Sequence, residues 1–173
     1  MPRSVTVFIG LGSNLAQPLL QIKAALTALS KIPQTTFIID SGYYSSKPMG
    51  PQNQPDYLNA VAMLTTSLQA LSLLDQLQII ENKQGRVRAQ HWGARTLDLD
   101  LLLYGDEMIH HPRLTVPHPG ILQRDFVFLP LLKLVPSIEI PGCGQLKTLI
   151  NQPLINNSDK ASMNYAATYQ GNL

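Results

Sequence analysis

Along the first hundred residues the apolar positions switch between two periods, and each switch marks an element. Val5 to Leu11 (VTVFIGL) is rich in β-branched residues and stops at Gly12, which reads as a buried strand. From Leu19 to Ile32 the apolar residues fall at Leu19, Ile22, Leu26 and Leu29, a helical spacing entered at Pro18. Thr36 to Ser46 reads as a second strand. A loop with Pro48, Pro51 and Pro55 separates it from a third, Tyr57 to Thr65. Ser67 is placed to cap a helix from about Gln69 to Gln84, with Gly85 at its end. The loop GRVRAQHWGA then leads into a fourth strand, RTLDLDLLLYG.

That succession, β-α-β-β-α-β, predicts an α+β fold with a ferredoxin-like core, its two helices on one face of an antiparallel sheet. Ile121 to Leu134 predicts an additional C-terminal helix, and MIHHPRLTVPHPG loops with a short strand. Residues 1–150 form a single expected domain. The polar tail, 151–173, is expected to be poorly ordered.

Composition narrows the class without naming a chemistry. Across 173 residues, 45% hydrophobic and 14% charged content suits a folded domain with one core. A net charge of +2 is too mild to argue for nucleic acid. Cys143 is the only cysteine, so an intrachain disulfide is ruled out and a thiolate metal site is disfavoured. The opening MPRSVTVFIGLGSN lacks the pattern of a signal peptide, and no apolar run approaches the roughly 20 residues of a membrane span. A cytoplasmic enzyme or binding domain is the expectation.

The candidate chemistry begins with two carboxylates inside an apolar strand. Side chains alternate along a strand, so Thr96, Asp98, Asp100 and Leu102 share one face and Leu97, Leu99, Leu101 and Leu103 the other. The two aspartates then stand roughly 7 Å apart at the backbone. One reading is the solvated face of a half-buried strand. The other is a hard-cation site, because a divalent ion relieves the repulsion of neighbouring carboxylates and is commonly shared with substrate phosphates.

The surroundings favour the second reading. Arg86, Arg88, His91 and Arg95 precede the aspartates, and Arg113, His118 and Arg124 follow. Guanidinium groups beside paired carboxylates suit a metal-bound polyphosphate. Glycine-cradle signatures are missing: GLGSNL has Leu15 where a dinucleotide fingerprint requires its third glycine, and there is no GxxxxGK[ST]. In GPQNQPDYLNA, Tyr57 and Asn59 share a strand face, an aromatic ring beside an amide that can stack on and hydrogen-bond a flat heterocycle.

Taken together, GPQNQPDYLNAV, Glu81, GRVR, WGARTLDLDLLLYG, RLTVPHPG and Arg124 closely resemble the 6-hydroxymethyl-7,8-dihydropterin pyrophosphokinase family, over roughly residues 5–150. The resemblance implies transfer of pyrophosphate from ATP to the pterin hydroxymethyl group, with AMP released, in folate synthesis. It implies two Mg²⁺ ions held by Asp98 and Asp100, and Arg86 and Arg95 engaging the phosphates as catalytic residues. Gln78, Glu81, Arg88, Arg113, Thr115, His118 and Arg124 match positions lining the ATP site. Ser46, Met49, Tyr57, Asn59, Trp92 and Phe126 match the pterin pocket, with Tyr57 and Phe126 as the stacking pair. Ser46 replaces the family's threonine and keeps its hydroxyl, and His91 stands where a relative has arginine.

The expected partners are ATP and the pterin, with no nucleic acid and no membrane, and a monomer is expected because nothing demands more. Two rivals stay in view: another Mg²⁺-dependent nucleotidyltransferase or nuclease using the same carboxylates, and an RNA-binding ferredoxin-like module. The second lacks the aromatic pattern of an RNA-recognition strand.

Overall fold

A computed structural model describes residues 3–15, 17–48, 50, 53–85 and 97–150. In chain order these form β1 (Val5–Ser13), α1 (Pro18–Leu29), β2 (Thr35–Asp40), β3 (Tyr44–Ser46), β4 (Tyr57–Thr66) and α2 (Ala70–Lys83). Next come β5 (Asp98–Tyr104), β6 (Ile109–His111), β7 (Leu114–Val116), α3 (Asp125–Leu134), β8 (Glu139–Ile140), β9 (Gly144–Gln145) and α4 (Leu146–Leu149). The fold is mixed α/β on an antiparallel sheet ordered β2-β4-β1-β5, with β3 also paired to β4. Each helix-linked strand pair, β1 with β2 and β4 with β5, has one antiparallel strand inserted between its members.

Strand alternation divides the core between the two faces of this sheet. On one face Val7, Ile9, Leu11, Ala60, Ala62, Leu64, Leu99 and Leu101 pack against Ile22, Ala25 and Leu29 of α1 and Leu73 and Leu77 of α2. Burying each large aliphatic side chain contributes about 1.5–3 kcal/mol, so this layer is the main hydrophobic contribution to stability. On the other face Phe8, Val61, Leu102 and Leu103 meet Val127, Phe128 and Leu131 of α3, closed below by Ile138, Ile140, Leu146 and Ile150.

Several expectations change. The additional helix, α3, covers part of the sheet's second face. The predicted strand from Thr36 to Ser46 is two strands. Between them Gly42 sits at φ 75°, a left-handed conformation suited to glycine, and the Asp40 carboxylate accepts the Gly42 N–H at 2.8 Å. Helix α1 ends at Leu29 rather than Ile32, ahead of Pro33, which disfavours helix in the residue before it. Ser67 does not cap α2; its hydroxyl donates to Gln34 Oε1 at 3.2 Å, and the helix starts after Gln69. Helix α3 starts at Asp125, not Ile121, after a turn over the preceding residues. The single short strand expected after Met108 is a hairpin, β6 with β7.

The leucine alternation in β5 also breaks. Val7 to Phe8 pairs with Tyr104 to Leu103, but Ile9 pairs with Leu101, so Leu102 is the extra residue of a bulge. Leu102 and Leu103 therefore both enter the α3 layer. The tail from residue 151 lies outside the described residues.

Candidate active site

The face shared by β1, β4 and β5 changes character halfway along. Toward one end it carries Phe8, Val61 and Met63. Toward the other, the register aligns Tyr44, Asn59, Gly12 and Asp98 in a row across four strands. The next row on that face pairs Val61, Gly10 and Asp100. The two glycines lie inside β1, not in a strand-to-helix turn, so they form no phosphate cradle. Both sit close against neighbouring side chains: a Cβ at Gly10 would stand 3.4 Å from Leu102 Cδ2. A Cβ at Gly12 would stand 3.3 Å from Asn59 Oδ1 and 3.7 Å from Tyr57 Cδ1.

Asn59 is 4% exposed, and a buried amide must place its donors and acceptor. Its Nδ2 donates to Ser46 Oγ at 2.7 Å and to the Tyr44 carbonyl at 3.3 Å, locking β3 onto β4. Both donors are thus engaged within the protein, and the side-chain oxygen is turned toward Gly12. Tyr57 is half-buried at the start of β4 on the same face. The preceding loop is tied to β1 by Asn14, which donates to Gln54 Oε1 and the Pro55 carbonyl, each at 3.0 Å. Asn14 carried no recognisable signal in the sequence, because its partners are some 40 residues away. Phe126, on the first turn of α3, packs half-buried against the α3 layer.

Asp98 and Asp100 are half-buried in β5, flanking buried Leu99. His118 is held beside them: its N–H donates to the Leu102 carbonyl at 2.9 Å, and its Nδ1 accepts the Gly120 N–H at 3.0 Å. A neutral imidazole in that arrangement carries its proton on Nε2. Burial pushes His118 below the ordinary imidazole value; the Asp100 carboxylate pulls it up, and the Arg124 guanidinium adds to the downward push. Arg124 lies directly over Gly120, where a Cβ would come within 2.9 Å of Arg124 Nε. Asp100, His118 and Arg124 therefore form one electrostatic group.

The hairpin and α2 supply a second polar group. Arg113 pairs with Asp75 and donates to Gln78 Oε1 at 3.3 Å, and Thr115 is exposed opposite His110 on the hairpin. Gln78 and Glu81, expected together on one helix face, behave differently. Gln78 is half-buried and meets Arg113, whereas Glu81 is 2% exposed and turned under β5. Met49, Arg86, Arg88, His91, Trp92 and Arg95 lie outside the described residues. No group of three or more His, Cys, Asp or Glu side chains able to hold a metal occurs among the described residues.

Comparison with known proteins gives one consistent answer. The family model for 7,8-dihydro-6-hydroxymethylpterin-pyrophosphokinase matches residues 8–136. The chain is 50% identical over 148 residues to the 2-amino-4-hydroxy-6-hydroxymethyldihydropteridine pyrophosphokinase of Haemophilus influenzae, covering 86% of this chain and 92% of that one. It is 49% identical over 144 residues to the Pseudomonas aeruginosa protein of the same name, covering 83% and 89%. Among solved structures it resembles the Plasmodium falciparum HPPK-DHPS wild type with pteroate, with TM-score 0.67 at 14% identity, over 86% of this chain and 42% of that one. That likeness is one of fold.

Proposed function

The chain belongs to the 7,8-dihydro-6-hydroxymethylpterin-pyrophosphokinase family, and from that premise we infer that it transfers pyrophosphate from ATP to the hydroxymethyl group of 6-hydroxymethyl-7,8-dihydropterin. The other product is AMP, and the reaction belongs to folate biosynthesis. The match over residues 8–136, together with 50% identity to the Haemophilus influenzae pyrophosphokinase over 92% of its length, carries the inference. Neither the RNA-binding reading nor the nucleotidyltransferase reading is favoured beside it.

The finer reading assigns the interleaved strands to a ferredoxin-like core within one catalytic domain, residues 1–150. On it, the heterocycle lies over Gly12, accepted by Asn59 Oδ1 and stacked by Tyr57 and Phe126, with Ser46 fixing the amide. The nucleotide lies toward Asp100, His118, Arg124, Thr115 and the Gln78–Arg113 pair. Asp98 and Asp100 fit Mg²⁺: they are two half-buried hard-oxygen donors on one face of β5, paired in register with Gly12 and Gly10, and Mg²⁺ keeps most of its ligands as phosphate and water. Two ions are expected there. Bound ions supply charge neutralisation and polarisation of the phosphate oxygens.

The chain's own residues orient the reaction. The glycine row sets the pterin hydroxyl beside the strand that carries the carboxylates, a proximity effect. Arg124, with Arg86 and Arg95 from outside the described residues, neutralises charge on the transferred group. His118, held neutral by burial, donates from Nε2 rather than adding a fixed charge. The hydroxyl attacks the β-phosphorus in line and gives up its proton to solvent, while the bond from the β-phosphorus to the α,β-bridging oxygen breaks and AMP departs.

No helix among the described residues is long and apolar enough to cross a membrane. A monomer acting in the cytoplasm on small molecules completes the proposal. Incubation with ATP and hydroxymethyl-dihydropterin, resolving AMP from ADP, tests it. Stoichiometric AMP and pterin diphosphate are expected; formation of ADP would overturn the assignment.

A further inference from the structure

Glu81 is a buried carboxylate whose surroundings the reaction above does not use. It lies near the end of α2, 2% exposed, and its Oε2 accepts the N–H of Leu99 at 3.0 Å. Leu99 is the residue between Asp98 and Asp100. Strand β5 ends the sheet order and is paired with β1 alone among the described strands, so its outer edge has no strand to bond. A buried carboxylate and a buried edge amide are each costly without a partner, and here the Leu99 amide is satisfied by one oxygen of Glu81. The same strand is held further along by the His118 N–H at the Leu102 carbonyl.

The physical consequence concerns the spacing of the two aspartates. Strand pairing with β1 fixes β5 from one side; Glu81 fixes it from the other, at the peptide that joins the two carboxylate-bearing residues. We propose that Glu81 is a positioning residue for the Asp98–Asp100 pair, acting through the Leu99 amide and not by contact with the nucleotide. This rests on the reading of Asp98 and Asp100 as the metal-holding pair. It separates Glu81 from Gln78, which meets Arg113 on the same helix. Partners that orient metal-holding groups typically matter about 10- to 100-fold in metal affinity or activity.

The test compares Glu81→Leu, which removes the acceptor, with Glu81→Gln, which keeps an oxygen at the same reach. Two readouts are taken: amide exchange at Leu99 in the ligand-free protein, and the Mg²⁺ dependence of AMP formation. In Glu81→Leu, Leu99 exchange should speed up and the Mg²⁺ needed for half-maximal turnover should rise by roughly 10- to 100-fold, with pterin affinity unchanged. Glu81→Gln should restore Leu99 protection and most of the lost turnover. Wild-type Mg²⁺ dependence in a folded Glu81→Leu variant overturns the proposal. So does a Glu81→Gln variant with Leu99 protected and turnover still lost, since the carboxylate would then act on the ligand itself. Should Glu81→Leu fail to fold, the glutamine variant decides: turnover that follows Leu99 protection supports the clamp, and turnover that departs from it refutes the clamp. Failure of the underlying reading shows elsewhere, as wild-type turnover in Asp98→Ala.

Discussion

The sheet face that meets α1 and α2 is apolar along nearly its whole length, whereas the face that meets α3 is apolar for only half of it. Strand β1 displays the contrast in alternate residues. Val7, Ile9 and Leu11 point one way into a continuous core. Phe8, Gly10 and Gly12 point the other way, and only Phe8 packs in the α3 layer. Glycine inside a strand gives up packing, so the chain accepts a weaker strand at the row where the heterocycle is proposed to lie. One face is devoted to stability; the other divides its length between stability and the proposed site.

The largest effect that would break this comparison is at the carboxylates. Asp98→Ala and Asp100→Ala should each lower turnover by on the order of 10³-fold or more, because metal-borne charge stabilisation is worth several kcal/mol. Circular dichroism should show an intact fold. Wild-type rates at saturating Mg²⁺ in either variant would remove the proposed metal pair.

On the opposite face the response should be purely thermodynamic. Leu77 is fully buried against the first layer, so Leu77→Ala should cost about 2–5 kcal/mol of stability in denaturant titration. KM values for the pterin and ATP should hold wherever the protein remains folded. A raised pterin KM in the folded variant would mean that the two faces are not independent.

Substitutions in the glycine row sharpen the contrast at intermediate size. Gly12→Val would add its side chain against Asn59 and Tyr57, and should weaken pterin binding by about 1–3 kcal/mol, the usual cost of overfilling a packed space. Asn59→Ala should weaken it by a similar amount, about 1–3 kcal/mol, because it removes the presented oxygen and strands Ser46 Oγ. Calorimetry with pterin alone reads both, and nucleotide affinity should stay put. Unchanged pterin affinity in either variant would move the heterocycle away from this row.

The smallest effect lies at the far end of the first layer. Tyr104 donates its hydroxyl to the Leu68 carbonyl and is 7% exposed. Burial, followed by the Glu107 charge, raises its pKa above the ordinary value. A raised folded-state pKa means stability that is complete below the unfolded value near 10 and declines as pH climbs through the folded one. Tyr104→Phe should cost about 1 kcal/mol at neutral pH and flatten the alkaline loss of stability. Equal alkaline slopes for the two proteins would assign that loss to other groups.

Residue order by itself determined the period of each element, and so β1, α1, β4, α2 and β5 with small errors at their ends. It also put Asp98 with Asp100, and Tyr57 with Asn59, on common strand faces, since alternation is a property of neighbouring peptides. Only the tertiary structure decided what those faces meet. The bulge at Leu102 arises from pairing with Phe8 and Ile9, and the α3 cover from a helix that begins only at Asp125. Gly12 is a close approach inside a strand and not a phosphate loop, because Asn59 and Asp98 flank it in register. Glu81 is an internal partner because an edge-strand amide lies over it, whereas Gln78, three residues earlier, meets Arg113. Periodicity is written in local covalent geometry, while the partner of a buried donor or carboxylate is set by contacts across the chain, which no local pattern encodes.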